Sequence, residues 1–456
     1  MNSKFQKRLG RLGTAGPGSM APKPPPAADE TPRQAKVRNL RAQLDRLVAK
    51  DKSRLVEKRR ALQLGGESTE DTFARLLRTA EPAPGAICVE DHRDLSLPGA
   101  LVETRHGPVH LVQQHLEPHH CHGRVPVVRG LEAPAALTSR LALDPTLADV
   151  DLSKMLFIDT ETTGLSTASG TLAFLVGIAR FDDQSLYLEQ MLLRGHHDEP
   201  AMLRHLAEHL GRASCIVSYN GKSFDWPLLR TRFVMNRVPA PPLPPHLDLL
   251  HCARRLFKKR LGSLRLVQME REILGFTREH DVDGSEIPGI FLTYLRSGRP
   301  GRLDGVIEHN ANDLVALAAF LGEIVRHYQD VVREDDPLDH LSYAQVAERA
   351  KDPERARQFA LAAAAGGGDT DCTVDAFLLA ARVARRIKDV AAEHAALTGA
   401  LEHAPADPRV HLELAKHHEH RAKDLIAALH HARVLDDEHR IARLERRIGR
   451  TDGSLP

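Results

Sequence analysis

The sequence predicts an α/β domain on a mixed sheet in the middle of the chain, followed by an all-α helical-repeat region and preceded by a basic extension. Three observations carry this. Apolar β-like runs alternate with amphipathic helical stretches from Lys154 to about Arg326, the pattern of a sheet covered by helices. After Pro337 the chain turns Ala-rich and self-similar, with Ala381 and Ala415 34 residues apart. The net charge of +2 also hides an asymmetry: residues 1–80 hold 18 Lys+Arg against 8 Asp+Glu, a net +10, and the remainder is −8.

Taken in order, residues 1–80 read as a basic, partly disordered extension. Its first 33 residues are rich in Gly, Pro and Ala and give nothing to pack. Arg33 to Leu64 reads as one charged helix with Val37, Leu40, Leu44 and Leu47 in heptad-like spacing, broken where Asp51 takes the next apolar place. The extension suits either a polyanion or plain solvent. Residues 81–150 form a small β-rich segment, with LPGALVETRHGPVHLVQQ divided by Gly and Pro. Residues 151–330 make the α/β domain. Its strands are MLFID, FLVGIARF, LYLEQMLL and CIVSYN; a hairpin-like turn at Asp182-Asp183-Gln184-Ser185 makes the sheet mixed. Its helices are EPAMLRHLAEHL, WPLLRTRFVM and the stretch from Leu303 to His327. Residues 337–450 read as helix–turn–helix repeats of the tetratricopeptide class, without the Trp and Gly of that consensus; an ordinary helical bundle is the competing reading.

Composition excludes several classes. Hydrophobic content of 42% supports real cores. The longest apolar run, Thr171 to Ala179, is too short to span a bilayer. The basic start MNSKFQKRLGRLG lacks the apolar core of a secretory signal. Five scattered cysteines (Cys88, Cys121, Cys215, Cys252, Cys372) form no paired framework. A reduced, cytoplasmic protein without a membrane partner is expected.

The chemistry concentrates in FIDTETTG. Asp159 and Glu161 end an apolar strand and, two residues apart, point to one face. Side by side their charges repel, and a divalent cation removes the penalty; Mg²⁺ or Mn²⁺ suits such hard oxygens. Alone, the pair could equally stand in water. Asp225, in SYNGKSFDWPLL, begins a helix and could serve only as its cap. His309 and Asp313, in EHNANDLVAL, lie one helical turn apart and could simply pair with each other.

Together, FIDTETTG, SGTLAFLVGIARF, SYNGKSFDWPLL, HLDLLHCARRLFKKRLGSLRL, LGFTREHDVDGSEIPGIFLTYLRSG and EHNANDLVAL, in this order, resemble the YprB-like branch of the DEDD 3′–5′ exonucleases, within the ribonuclease-H-like superfamily. The resemblance implies a ribonuclease-H-like fold and a phosphodiester hydrolase that works from a free 3′ end of DNA or RNA with two Mg²⁺ or Mn²⁺ ions. It carries the four metal-binding acids to Asp159, Glu161, Asp225 and Asp313, and the general base to His309. Thr162, Thr163, Gly164 and Leu165 would meet the terminal nucleotide. One departure stands out: three residues separate His309 from Asp313, the spacing of the family's Tyr subgroup.

Asn220 and Lys222 flank Asp225 and could contact a phosphate, or Lys222 could only be solvated. His246 and Asp248 start a further helix and could merely cap it. Arg254, Arg255, Lys258, Lys259 and Arg260 form a basic run that suits a nucleic-acid backbone or a solvated face. His115, His119, His120, Cys121 and His122 are too crowded for a standard four-ligand zinc site. A protein partner through the C-terminal repeats is compatible with the nuclease. The rival to an enzyme is a non-catalytic nucleic-acid binder or interaction scaffold that keeps the fold.

Overall fold

The computed structural model describes residues 97–164, 170–332 and 335–452. The expected basic extension with its charged helix, Cys88 and Leu165 lie outside the described residues.

A seven-stranded mixed sheet runs in the order β1-β2-β7-β6-β5-β8-β9. The strands are β1 (Ala100–Thr104), β2 (Gly107–Leu116), β5 (Met155–Thr162), β6 (Ala173–Asp182), β7 (Ser185–Leu192), β8 (Cys215–Ser218) and β9 (His246–Asp248). β3 (Cys121–His122) and β4 (Val125–Pro126) form a separate pair. β5–β8 and β8–β9 are parallel, and the other ladders of the large sheet are antiparallel. β6 and β7 form the hairpin anticipated at Asp182–Ser185, with Asp183 left-handed at φ 54°. β1 and β2, expected within a small segment of their own, extend this sheet, because β2 pairs with β7 from His110↔Leu192 to Leu116↔Leu186.

Helices of eight residues or more are numbered α1 (Ala135–Ala142), α2 (Glu199–Arg212), α3 (Asp225–Met235), α4 (Leu249–Leu256), α5 (Ile287–Ser297) and α6 (Leu303–Gln329). Strand alternation divides the core. On one face, Leu156, Ile158, Val176 and Met191 pack with Leu203 and Leu206 of α2, Phe233 of α3 and Phe291 of α5. On the other, Phe157, Ala179 and Leu188 pack with Leu314, Leu317 and Leu321 of α6. Burying each of these Leu, Ile, Val, Met and Phe side chains contributes about 1.5–3 kcal/mol. α6 is apolar nearly all round because it lies between the sheet and the C-terminal helices.

Those helices are α7 (Pro337–Arg349), α8 (Pro353–Ala365), α9 (Thr370–Arg386), α10 (Val390–His403), α11 (Pro408–His417), α12 (Leu425–Val434) and α13 (Glu438–Asp452). The first six pack as consecutive pairs, α7 with α8, α9 with α10 and α11 with α12. Each of the six starts on an aspartate whose side chain accepts a backbone N–H: Asp336, Asp352, Asp369, Asp389, Asp407 and Asp424. Alanines such as Ala344, Ala360, Ala380 and Ala400 are buried where the helices approach. Arg382 reaches back 34 residues to Glu348, and Arg409 the same distance to Asp375. The apolar core is continuous from the sheet through α6 to α7–α11, and Arg260 to Asp339 and Arg140 to Asp352 add ion pairs across that join. Among the described residues no helix is long and apolar enough to cross a membrane.

Candidate active site

The site forms where the end of β5 meets α6. Asp159 and Glu161 project toward α6, while Thr160 between them points to the opposite face and donates its hydroxyl to Asp225 Oδ1. Asp225 opens α3 without capping it, so the capping reading does not account for it. α6 presents His309, Asn310 and Asp313. Asn310 is fully buried; it donates to Asp159 Oδ2 at 2.7 Å and accepts from Gln190 Nε2 at 2.8 Å. This contact needs Gly177, the ladder partner of Asp159, since a Cβ there would stand 2.1 Å from Asn310 Oδ1.

His309 is held by Asp281, whose Oδ1 lies 2.7 Å from Nδ1. That leaves Nε2 facing Glu161 Oε1 at 3.9 Å and Asp313 Oδ2 at 3.8 Å. The ring is therefore oriented by one carboxylate and aimed at two others, the layout of a positioned base. A simple His309–Asp313 pair does not describe it. Arg278 enters from the 276–286 loop: its guanidinium makes a bidentate pair with Glu270, at 2.8 and 3.0 Å, and also contacts Asp313. Glu270 is fully buried and takes a further hydrogen bond from His122 Nε2 at 2.8 Å. His122 thus leaves its crowded sequence neighbourhood and ends a polar chain, His122–Glu270–Arg278–Asp313.

The electrostatics follow from this crowding. Burial, then repulsion from Asp313, Glu161 and Asp225, holds Asp159 well above the usual carboxylate range. Burial pushes Glu161 up to about 7 and Asp225 to about 6, against the opposing pull of His309 on the first and of the Thr160 hydroxyl on the second. Asp313 is raised by burial in spite of Arg278 and His309. Burial lowers His309, but Asp313, Glu161 and Asp281 prevail and raise it. Four carboxyl groups share this corner with one guanidinium and one imidazole. Hard oxygens short of positive charge fit a divalent cation, and ligand atoms of Glu161, His309 and Asp313 lie within 4.8 Å of one another.

Of the remaining candidates, Thr162 and Gly164 line a cleft of about 200 Å³ together with Glu161, Phe224 and Asp225. Thr162 Oγ1 donates to Gly164 O at 2.8 Å, and Thr163 pairs with Leu172 through both backbone and hydroxyl, so these threonines shape the loop after β5. Asn220 is left-handed at φ 68°, and its N–H and that of Lys222 donate to Asp248 at 2.8 and 3.2 Å. Lys222 Nζ lies 3.8 Å from Asp144. His246 and Asp248 do more than cap: Asp248 does cap α4, yet it also clamps the loop that delivers Asp225, and His246 holds Ser218 Oγ at 2.8 Å. In the basic run, Arg255 bonds Ala142 O and Arg260 bonds Asp339.

Sequence reading missed Thr160, Gln190, Glu270, Arg278, Asp281 and Asn310, and also Phe224, 46% exposed beside Asp225. Asn310 and Thr160 sit inside the quoted motifs and could have been flagged as buried polar groups needing partners. Arg278 and Asp281 lie inside the LGFTREHDVDGSEIPGIFLTYLRSG stretch, but in an irregular loop whose lack of periodicity marks neither for a role.

Residues 156–325 match the RNase_H superfamily. The chain is also similar to the uncharacterized protein YprB of Bacillus subtilis (strain 168), 36% identical over 191 residues, 41% of this chain and 46% of that protein. The chain thus spans about half the length of the curated relative it matches. With the mixed sheet and its flanking helices, the domain has a ribonuclease-H-like fold.

Proposed function

We propose that the protein is a metal-dependent 3′–5′ exonuclease acting on phosphodiester bonds. The observation that carries this is the convergence of Asp159, Glu161, Asp225 and Asp313, raised together above their ordinary ionisation range, with Glu161 and Asp225 lining an open cleft. A scaffold with no cation to hold would gain stability by losing these charges. Two bound Mg²⁺ or Mn²⁺ ions would supply an activated water and neutralise charge on the phosphate and the leaving oxygen.

The chain's own residues have separable tasks. Asp159, fixed by Asn310, would hold the cations together with Glu161, Asp313 and Asp225. His309 Nε2 takes the proton from the attacking water while Asp281 steadies Nδ1. Arg278 holds Asp313 in place and, anchored by Glu270, keeps positive charge beside the phosphate. Exposed Phe224 offers a stacking face for a base at the cleft mouth. The C-terminal helical pairs, read as tetratricopeptide-like repeats, would recruit a protein partner.

The test is cleavage of 5′-labelled linear single-stranded DNA and RNA with Mg²⁺, Mn²⁺ or EDTA, beside a circular substrate. Metal-dependent ladders shortening from the 3′ end, with the circle intact, are expected. Cleavage of the circle would mean endonuclease action, and tight binding without any cleavage would favour a non-catalytic nucleic-acid binder.

A further inference from the structure

The opposite face of the sheet carries a second cluster that the nuclease reading does not use. Along β7, Gln190 points to α6 and Glu189 points the other way, to α2. α2 presents His205 and His209, one turn apart on the same side. Both turn Nε2 toward one carboxylate oxygen: Glu189 Oε1 lies 2.8 Å from His205 and 3.1 Å from His209. The two Nε2 atoms are 3.4 Å apart. Gln113, directly across the β2–β7 ladder, donates to the other oxygen, Oε2, at 2.8 Å.

Hydrogen bonding alone would not require the two imidazoles to close on each other. A tetrahedral ion would: with zinc–nitrogen bonds of about 2.0–2.1 Å, neighbouring ligand atoms stand about 3.3–3.4 Å apart. The His205–His209 separation matches that edge, the His209–Glu189 contact at 3.1 Å falls just inside it, and the His205–Glu189 contact at 2.8 Å would open by about half an ångström to admit an ion. The ligand atoms all lie within 4.8 Å of one another. The side chains are 7–17% exposed, which leaves an approach for the ion and for a water as fourth ligand. Gln113 supplies the outer hydrogen bond that fixes a ligating carboxylate. Glu208, the next acid on α2, is engaged by Arg105 and His106 instead.

We propose that Glu189, His205 and His209 bind a single transition-metal dication of the zinc class, clipping α2 to β7. Two imidazoles and one carboxylate select Zn²⁺ or Co²⁺ over Mg²⁺, whereas the all-carboxylate end of β5 selects the reverse. On binding, each neutral imidazole carries its proton on Nδ1 and offers the Nε2 lone pair, so no proton need be lost.

The experiment uses the full chain, expressed without a histidine tag and kept in excess Mg²⁺ so that the β5 site does not report. Zn²⁺ is measured by equilibrium dialysis, and Co²⁺ by its visible four-coordinate absorption. Wild type should bind one tight equivalent, show the Co²⁺ band and gain melting temperature with Zn²⁺. His205→Gln/His209→Gln, which keeps amide donors for Glu189, should lose all three. Its affinity should fall by more than the ~10–100-fold expected for a merely supporting residue. His120→Gln, in the exposed histidine segment, should change nothing. Zinc binding unchanged in the double variant would overturn the proposal. So would a wild type without the Co²⁺ band, a result that stands even if the variant does not fold.

Discussion

The two faces of one sheet carry opposite solutions to the same problem, a buried carboxylate. On the α6 face, Asp159, Glu161 and Asp313, joined at the strand end by Asp225 from α3, outnumber the cations near them, and all four are raised above their ordinary values. On the α2 face, one carboxylate has three donors; burial works against its ionisation, but His205, His209 and Gln113 hold Glu189 well below the usual range. Burial is common to both. The ratio of donors to acids sets the sign. The first cluster is unstable as it stands and gains from a dication; the second is satisfied as it stands and tolerates one.

The sharpest way to break this comparison is at Asp159. Asp159→Asn should abolish nuclease activity, by ~10³-fold or more, since both cation positions share this oxygen donor. The same change should raise the metal-free melting temperature by relieving three repulsions; calorimetry in EDTA checks it. His309→Gln should lower kcat by ~10²–10⁴-fold with little effect on Mn²⁺ affinity, which single-turnover kinetics and Mn²⁺ titration separate.

The pH dependence of stability sharpens it further. Glu161 has a folded value of about 7 against an ordinary 4.5. Between these the folded state holds a proton that the unfolded chain has released, so this group's contribution falls as pH rises from about 4.5 to about 7. Melting curves in EDTA should show Glu161→Gln gaining on wild type across that window, and saturating Mg²⁺ at pH 7 should close the gap. Glu189 runs the other way: its lowered value contributes stability above the ordinary carboxylate range that is lost in acid. Glu189→Gln should therefore destabilise the protein at neutral pH, by about 1–3 kcal/mol in urea unfolding, and matter less in acid. A stability effect of the same order is expected at Gly177. Gly177→Ala pushes on Asn310 Oδ1, costs about 1–3 kcal/mol by overpacking, and weakens activity by freeing Asp159.

What the sequence made legible follows the same division. Strands β5 to β8 and helices α2, α3 and α6 were readable because apolar periodicity is a local property. The acids were readable because Asp159 and Glu161 break an apolar run, and the motifs around Asp225 and His309 fall in a recognisable order. What escaped was whatever depends on distant segments meeting. β1 and β2 read as a separate segment, since only the β2–β7 ladder joins them to the sheet. Arg278 and Asp281 matter only because their loop folds over α6. Glu189, His205 and His209 lay inside elements correctly placed as strand and helix; the i, i+4 histidines were visible, but the carboxylate between them was not. His122 and Asp248 showed the converse: each stood in a group given a local reading, and each proved to support the site through a long-range hydrogen bond.

The most direct test of the central claim, that the β5–α6 acids form a nuclease metal site, is anomalous diffraction from crystals of the full chain grown with Mn²⁺ and a nucleoside 5′-monophosphate. The account predicts Mn²⁺ peaks ligated by Asp159, with Glu161 and Asp313 on one side and Asp225 on the other, and the phosphate between them. No Mn²⁺ among these carboxylates, at concentrations that support other nucleases, would contradict it.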